Sequence, residues 1–259
     1  MTYIQAHNLS KHYKASYEGQ EQTIEAVRNV SLSVEEGELV TLFGPNACGK
    51  TTLLKMIAGL EKPDGGGFVT IDGKKPEETR IGYIFQNYSD SLFPWKTAID
   101  NVAFPLQLSG LTPKESRKNT IDFLGELGVE IPIDSFPYKL SGGQQQTIAI
   151  LRTFNYHPEI FVFDEPFSSL DFQARLEMQE RFLKIWDKNR KATVFVSHEI
   201  DEALYLCDRM IMLTKSPARL TKILKNYLPR PRRREMLNDP NFIDLRKEAI
   251  EIFMQEVPA

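Results

Sequence analysis

Cysteine is nearly missing from this chain of 259 residues, with Cys48 and Cys207 the only two. A disulfide framework needs more, so the composition fits a reducing cytosol. The start of the chain also lacks the basic stretch and apolar run of a secretory signal, which points the same way. Long apolar runs are absent too. Stretches such as Ile160-Phe161-Val162-Phe163 stop far short of the roughly 20 residues that cross a bilayer, which argues against a channel or permease. Charge of one sign is missing as well: 32 Lys and Arg against 35 Asp and Glu leave a net −3. That balance advertises neither nucleic acid nor an acidic membrane surface as the main partner. There is no internal repeat and no low-complexity segment. With 41% hydrophobic and 26% charged residues the composition is that of an ordinary globular protein with enough chain for a full core.

What is there is an alternation. Short apolar segments at Leu39–Phe43, Phe68–Asp72, Ile81–Phe85, Ile160–Phe163, Thr193–Ser197 and Met210–Thr214 read as buried strands between helix-like stretches, the pattern of an α/β sheet. From Gln86 to Glu159 the chain is rich in helix formers and punctuated by Pro94, Pro105, Pro113, Pro132 and Pro137, which reads as an inserted helical subdomain. After Lys215 come Pro217, Pro229 and Pro231, a basic run Arg230-Pro231-Arg232-Arg233-Arg234, and a last helix. That helix has Asp239 as its cap, Pro240 at its first position, and Phe242, Leu245, Ala249 and Ile252 along one face.

Three motifs carry chemistry. Gly44-Pro45-Asn46-Ala47-Cys48-Gly49-Lys50-Thr51 matches the phosphate-binding loop in full and lies between a strand and a helix. Backbone N–H groups and the helix N-terminus would hold phosphates, Lys50 would bridge the terminal ones, and the Thr51 hydroxyl would ligate Mg²⁺. Asp164-Glu165 follows an apolar strand and delivers two carboxylates at its carboxyl end, where open α/β sheets bind ligands. Alternating strand side chains would let Asp164 hold Mg²⁺ while Glu165 orients or deprotonates an attacking water. Leu140-Ser141-Gly142-Gly143-Gln144 is a second glycine-rich turn at a helix start, hence a second anion site, yet it has no lysine or carboxylate pair beside it. A complete grip and a bare one suggest that each subunit lends its bare turn to the nucleotide of a second copy or a homologue.

Taken together these residues resemble the nucleotide-binding subunit of an ATP-binding cassette (ABC) transporter. The phosphate loop, Gln86, Leu140–Gln144, Asp164-Glu165, Ser168-Ser169-Leu170-Asp171 and His198 occur in that family's order across most of residues 1 to 215. The resemblance implies a P-loop NTPase (RecA-like) core, formed by 1–88 and 156–215 and including a small antiparallel β part. It implies a helical subdomain at 89–155 and a tail at 216–259. The implied cofactors are ATP and Mg²⁺. Tyr13 would stack on adenine, with Tyr17 a competing candidate. Gly44, Asn46, Ala47, Cys48, Gly49, Lys50, Thr51 and Thr52 would hold the phosphates, and Thr51, Gln86 and Asp164 the metal. Glu165, His198 and Lys50 would carry catalysis, while Ser141, Gly142, Gly143, Gln144 and Asp171 would reach the opposing subunit's site. The family usually has Ser-Gly where this chain has Asn46-Ala47, so an ordinary backbone is expected at Ala47. Thr147 stands where the family commonly has Arg, and the expectation is only a lost surface ion pair.

A narrower resemblance is to importers of nitrate, sulfonates, taurine, bicarbonate and similar small anions. It rests on Phe93-Pro94-Trp95, Asp100-Asn101-Val102, Asp164-Glu165-Pro166-Phe167, Leu228-Pro229-Arg230-Pro231 and the closing helix. It implies an energy-coupling ATPase at the cytoplasmic face of the plasma membrane, with a second ATP-binding subunit, separate permease subunits and a periplasmic or lipoprotein solute receptor, and no nucleic acid. The alternative, a soluble ABC-type ATPase acting on nucleic acid or ribosomes, usually brings coiled-coil insertions or paired cassettes. Phe93 and Trp95 read either as a permease groove or as local core. The arginine run reads as a solvated tail more readily than as a lipid contact, and the last helix as packing on its own domain more readily than on a partner.

Overall fold

The computed structural model describes residues 2–17, 20–87, 91–168 and 170–256; Ser169 and the side chain of Tyr17 lie outside the described residues. All six strands expected from the sequence form, each within a residue of its predicted limits. They are β3 (Leu39–Phe43), β4 (Phe68–Ile71), β5 (Ile81–Ile84), β6 (Ile160–Asp164), β7 (Thr193–Val196) and β8 (Arg209–Leu213). Three more join them: β1 (Thr2–Tyr17), β2 (Gln20–Glu35) and β9 (Leu220–Lys225). The central sheet runs β5-β6-β7-β3-β8-β9, parallel except where β9 closes the edge antiparallel to β8. An antiparallel sheet β2-β1-β4 lies apart from it.

Strand side chains are sorted by face. Ile160 and Val162 of β6, Val194 and Val196 of β7 and Val40 and Leu42 of β3 enter an aliphatic core, closed by helix α1 (Lys50–Ile57) and the small sheet. The alternate residues Phe161, Phe163 and Phe195 enter a second, aromatic core. There Phe154 packs on Phe161 at 4.3 Å, and the Phe163 and Phe182 rings meet edge to face at 5.1 Å. Period-two alternation between two buried faces is why these strands read as unbroken apolar runs. β1 and β2 hide from that reading because one side is polar and register shifts around Leu9, with Asn8 and Asn29 at φ 49° and 48°, interrupt the alternation.

The second core is roofed by helices. They are α2 (Ala98–Leu108), α3 (Pro113–Leu127), α4 (Gly142–Asn155), α5 (Phe172–Lys188), α6 (Ile200–Leu206) and the C-terminal α7 (Pro240–Glu256). The last helix packs on its own chain, as expected: Phe242 and Ala249 are buried, and Phe253 meets Phe43 at 5.4 Å. Asp239 caps it, its Oδ1 accepting the Asn241 N–H at 2.8 Å.

The arginine run corrects the sequence reading. It is not a solvated tail. The Arg230 guanidinium lies 4.4 Å over the Trp186 ring, donates to Asp208 Oδ1 at 2.8 Å and to the Leu206 carbonyl at 2.7 Å. The Arg232 side chain is fully buried and donates to the Cys207 carbonyl at 3.0 Å. Both arginines thus cap the C-terminal carbonyls of α6, where a cation is favoured by the helix dipole. Nothing in the spacing of that run distinguishes an inward arginine from a solvated one. Removing Asp208 leaves the buried Arg232 guanidinium without its ion-pair partner and Arg230 with only the more distant Asp187 carboxylate, at 3.8 Å. Asp208→Ala is therefore expected to lose about 3 kcal/mol of stability in urea unfolding, whereas replacing the exposed Arg233 changes it by less than about 0.5 kcal/mol.

Candidate functional site

The loop from Gly44 to Gly49 leaves the end of β3 and turns directly into α1. Gly49 has φ 120°, and a Cβ there would sit 2.4 Å from the Ala26 carbonyl, so no other residue fits. Ala47 overturns an expectation: its backbone is left-handed, at φ 56°. That conformation costs a residue with a Cβ about 1–2 kcal/mol, and a left-handed residue within a turn is the backbone feature from which anion nests are built. Cys48 is buried within the loop, and burial pushes its thiol up against the opposing pull of Lys50. Lys50 Nζ donates to the carbonyls of Gly44 and Pro45, each at 2.9 Å.

Opposite the loop, β6 ends at Asp164. Thr51 Oγ1 donates to Asp164 Oδ1 at 3.2 Å. Burial pushes the Asp164 carboxyl up, against the Thr51 hydrogen bond, with Glu165 adding to the rise and Lys50 and Lys55 opposing it. The next residue does not continue the strand: Glu165 has φ 48°, its N–H donating to the Val196 carbonyl at 3.2 Å. The two carboxylates are thus separated by a left-handed turn rather than by simple strand alternation. Gln86 Nε2 donates to Glu165 Oε2 at 3.2 Å, and His198 Nδ1 stands 3.4 Å from the same oxygen.

A cleft of about 710 Å³ holds these groups together. Of the residues that the sequence singled out, Asn46 to Thr52, Gln86, Glu165 and His198 line it. Ile24 and Ala26 of β2 and Ser216 line it too and were missed, because β2 was not recognised and no motif marks them. Tyr13 stands across from Ile24 in the strand register, its hydroxyl bonded to Glu61 and 3.4 Å from Thr52 Oγ1.

Not every predicted residue lines this cleft: Tyr13, Gly44 and Asp164 are not among its lining residues. Among the described lining residues none comes from the Ser141–Gln144 turn or from Asp171. Ser141 caps α4 instead: its Oγ accepts the Gln144 N–H at 3.3 Å, while Gln144 Oε1 accepts the Ser141 N–H at 3.0 Å. Gly142 and Gly143 open that helix. Asp171 caps α5 through the Ala174 N–H at 2.9 Å. Thr147 is a further correction, since it is buried rather than at the surface. Its hydroxyl donates to the Gly143 carbonyl at 2.8 Å and lies 3.3 Å from Met178 Sδ, a site an arginine could share only by turning outward.

A phosphate loop facing a carboxylate pair at the carboxyl end of a parallel sheet is the geometry of a nucleotide-hydrolysing cassette. Residues 27–168 match the ABC transporter family model. This chain belongs to the ABC transporter family, whose ATP-binding members bind and hydrolyse ATP. It is 36% identical to an aliphatic sulfonates import ATP-binding protein of Bacillus cereus, covering 96% of this chain and 95% of the relative. It is 39% identical to the nitrate import ATP-binding protein of Synechococcus elongatus, covering 87% and 84%. Among solved structures it is similar to a dimeric ATP-binding cassette in a post-hydrolysis state bound to ADP and Pi. The TM-score is 0.74 and the identity 32%, over 87% of this chain and 100% of the other.

The buried Asp164 charge is costly to this ABC cassette on its own. Because burial raises its folded carboxyl above the unfolded value, the penalty is present at neutral pH and fades as pH falls through the folded value. Asp164→Asn is therefore expected to raise the thermal midpoint of the nucleotide-free protein at pH 7, with the gain shrinking on acidification; a Tm series against pH measures it.

Proposed function

We propose that this chain is the energy-coupling ATPase of an importer for a small anionic solute such as nitrate or a sulfonate. It acts as a head-to-tail pair on separate permease subunits at the cytoplasmic face of the plasma membrane, in a system with its own solute receptor. The relatives named above support the importer reading. Among the described residues no helix is long and apolar enough to cross a membrane, so the membrane contact is assigned to the permease. Functionally, residues 1–88 with 156–215 are the ATP-binding core, 89–155 the helical arm and 216–259 a stabilising tail.

One observation carries the reading. The cleft gathers the loop, Glu165, Gln86 and His198, with Asp164 bonded to its lining residue Thr51, yet the Ser141 turn lies outside it with its helix N-terminus exposed. That turn is assigned to the triphosphate of a second copy, so a competent site needs both chains.

In this reading the loop N–H groups hold the β- and γ-phosphates of ATP, and Lys50 turns from the Gly44 and Pro45 carbonyls onto them. Tyr13 and Ile24 flank the adenine. The donor set fits Mg²⁺: a hydroxyl and a buried carboxylate side by side, both oxygen ligands, with the Asp164 charge in want of a cation. When bound, the metal would neutralise charge on the phosphate oxygens, held by Thr51 and Asp164 with Gln86 beside them. Glu165 orients the attacking water and takes its proton. His198, beside the same carboxylate oxygen as Gln86, donates to the γ-phosphate, and Gln86 carries the change in Glu165 to the segment that follows it.

That segment bears the docking surface. Trp95 is 70% exposed, which favours the permease groove over local core. Its loop is tied down by hydrogen bonds: buried Asn101 donates to the carbonyls of Phe93, Lys96 and Thr97, each at 3.1 Å, and accepts the Phe93 N–H at 2.9 Å. An aromatic side chain standing out from a pinned loop is an anchor rather than a core residue.

Glu165→Gln is expected to slow hydrolysis at least about 100-fold, the low end of general-base contributions, and to elute as an ATP-bound dimer in gel filtration; near-normal turnover would overturn the role of Glu165. Trp95→Ala is expected to change stability by less than about 0.5 kcal/mol, keep the ATPase activity of the isolated chain, and abolish transport in a reconstituted system.

A further inference from the structure

His198 is held by its neighbours on both sides, and both holds lead to helix α5. The residue before it, Ser197, donates to Glu202 Oε2 at 2.5 Å, and Gln179 of α5 donates to the other oxygen of Glu202 at 2.9 Å. The residue after it, Glu199, is ion-paired to Arg175 of α5. Arg175 and Gln179 are four residues apart and so share one face of the helix. The second arm of the Arg175 guanidinium donates to the Leu170 carbonyl at 3.1 Å. Leu170 immediately precedes Asp171, which caps this same helix and is exposed. One planar cation therefore spans two loops, that of Leu170-Asp171 and that of His198-Glu199. Its side chain is 18% exposed and that of Glu199 39%, so the Leu170 end of the span is the more sheltered from water.

We propose that Arg175 is a positioning residue that ties the Leu170-Asp171 turn to the His198 turn, so that contact of a second copy with Asp171 sets His198 against the γ-phosphate in the first. This rests on the reading of His198 as the γ-phosphate contact and of Asp171 as facing the second copy. A guanidinium suits the task because its fixed fork can satisfy a carboxylate and a carbonyl at once, which an ammonium on a flexible stem cannot do with the same geometry. Arg175 itself does not line the cleft: among the described residues the lining contains His198 but not Arg175. Its removal should therefore spare nucleotide affinity and act on the chemical step.

The test uses the full chain and ATP, with kcat and KM measured separately for Arg175→Ala, Arg175→Lys, His198→Ala and the Arg175→Ala/His198→Ala double variant. ATP-driven dimerisation is followed for Arg175→Ala in the Glu165→Gln background. The expected result is a roughly 10- to 100-fold fall in kcat for Arg175→Ala, the scale of a 1 Å misplacement of a catalytic group, with KM within about 2-fold and dimerisation retained. The double variant should be no slower than His198→Ala, and Arg175→Lys should fall between Arg175→Ala and the parent. Should Arg175→Ala fail to fold, Glu199→Gln is read in its place. A normal kcat for Arg175→Ala beside a slow His198→Ala overturns the tether alone. So does a double variant slowed by the product of the single effects, which would mean Arg175 acts independently of His198. A normal His198→Ala overturns the role of His198 in the proposed function and the tether with it.

Discussion

The carboxylate of Glu165 is where three strand ends meet, and the rest of the site is arranged around it. Gln86 follows β5, Glu165 follows β6 and His198 follows β7, three adjacent parallel strands whose ends lie side by side. Parallel pairing is what makes this possible, since it sends every strand's carboxyl end to the same edge of the sheet. The left-handed backbone at Glu165 then lifts its side chain out of the strand's alternation and into reach of both neighbours. A carboxylate with two neighbours converging on one of its oxygens is already oriented before substrate arrives, which is the form in which electrostatic help to a reaction is cheapest. The cost is backbone strain at Glu165 and again at Ala47, both in the cleft wall or beside it. The two packed cores on either side of the sheet are stiff enough to hold these residues in place.

The parts of this arrangement that were legible in the sequence are those written as fixed spacings or uninterrupted patterns. The phosphate loop declared itself by eight consecutive residues, and the central strands by apolar runs that two buried faces demand. What escaped was set by tertiary context. β2 contributes Ile24 and Ala26 to the cleft, but its polar outer face and broken register concealed it as a strand. Ala47 was expected to keep an ordinary backbone because it carries a Cβ, and the turn of the phosphate loop overrode that preference. Thr147 and the paired arginines were misplaced for a common reason: polarity suggests the surface, while burial is decided by whether a partner waits inside. Asp208, Trp186 and the carbonyls ending α6 are such partners, and none of them is near the arginines in sequence.

The tail follows from the same geometry. By capping the end of α6 while its last helix leans on Phe43, it braces from behind the segment whose front carries His198. The chain's last stretch is thereby part of the body that holds the cleft, although beyond Ser216 it contributes no residue to the cleft lining among the described residues.

The two tryptophans have opposite surroundings. Trp186 is sealed in the aromatic core beneath the Arg230 guanidinium, and Trp95 stands in solvent on its pinned loop. Their emission is thus spectrally separated by nature: a blue component reporting on the integrity of the core and tail, and a red component reporting on whatever settles over the loop. The molecule carries its own two-channel optical gauge, in which unfolding and docking leave different signatures without any added label.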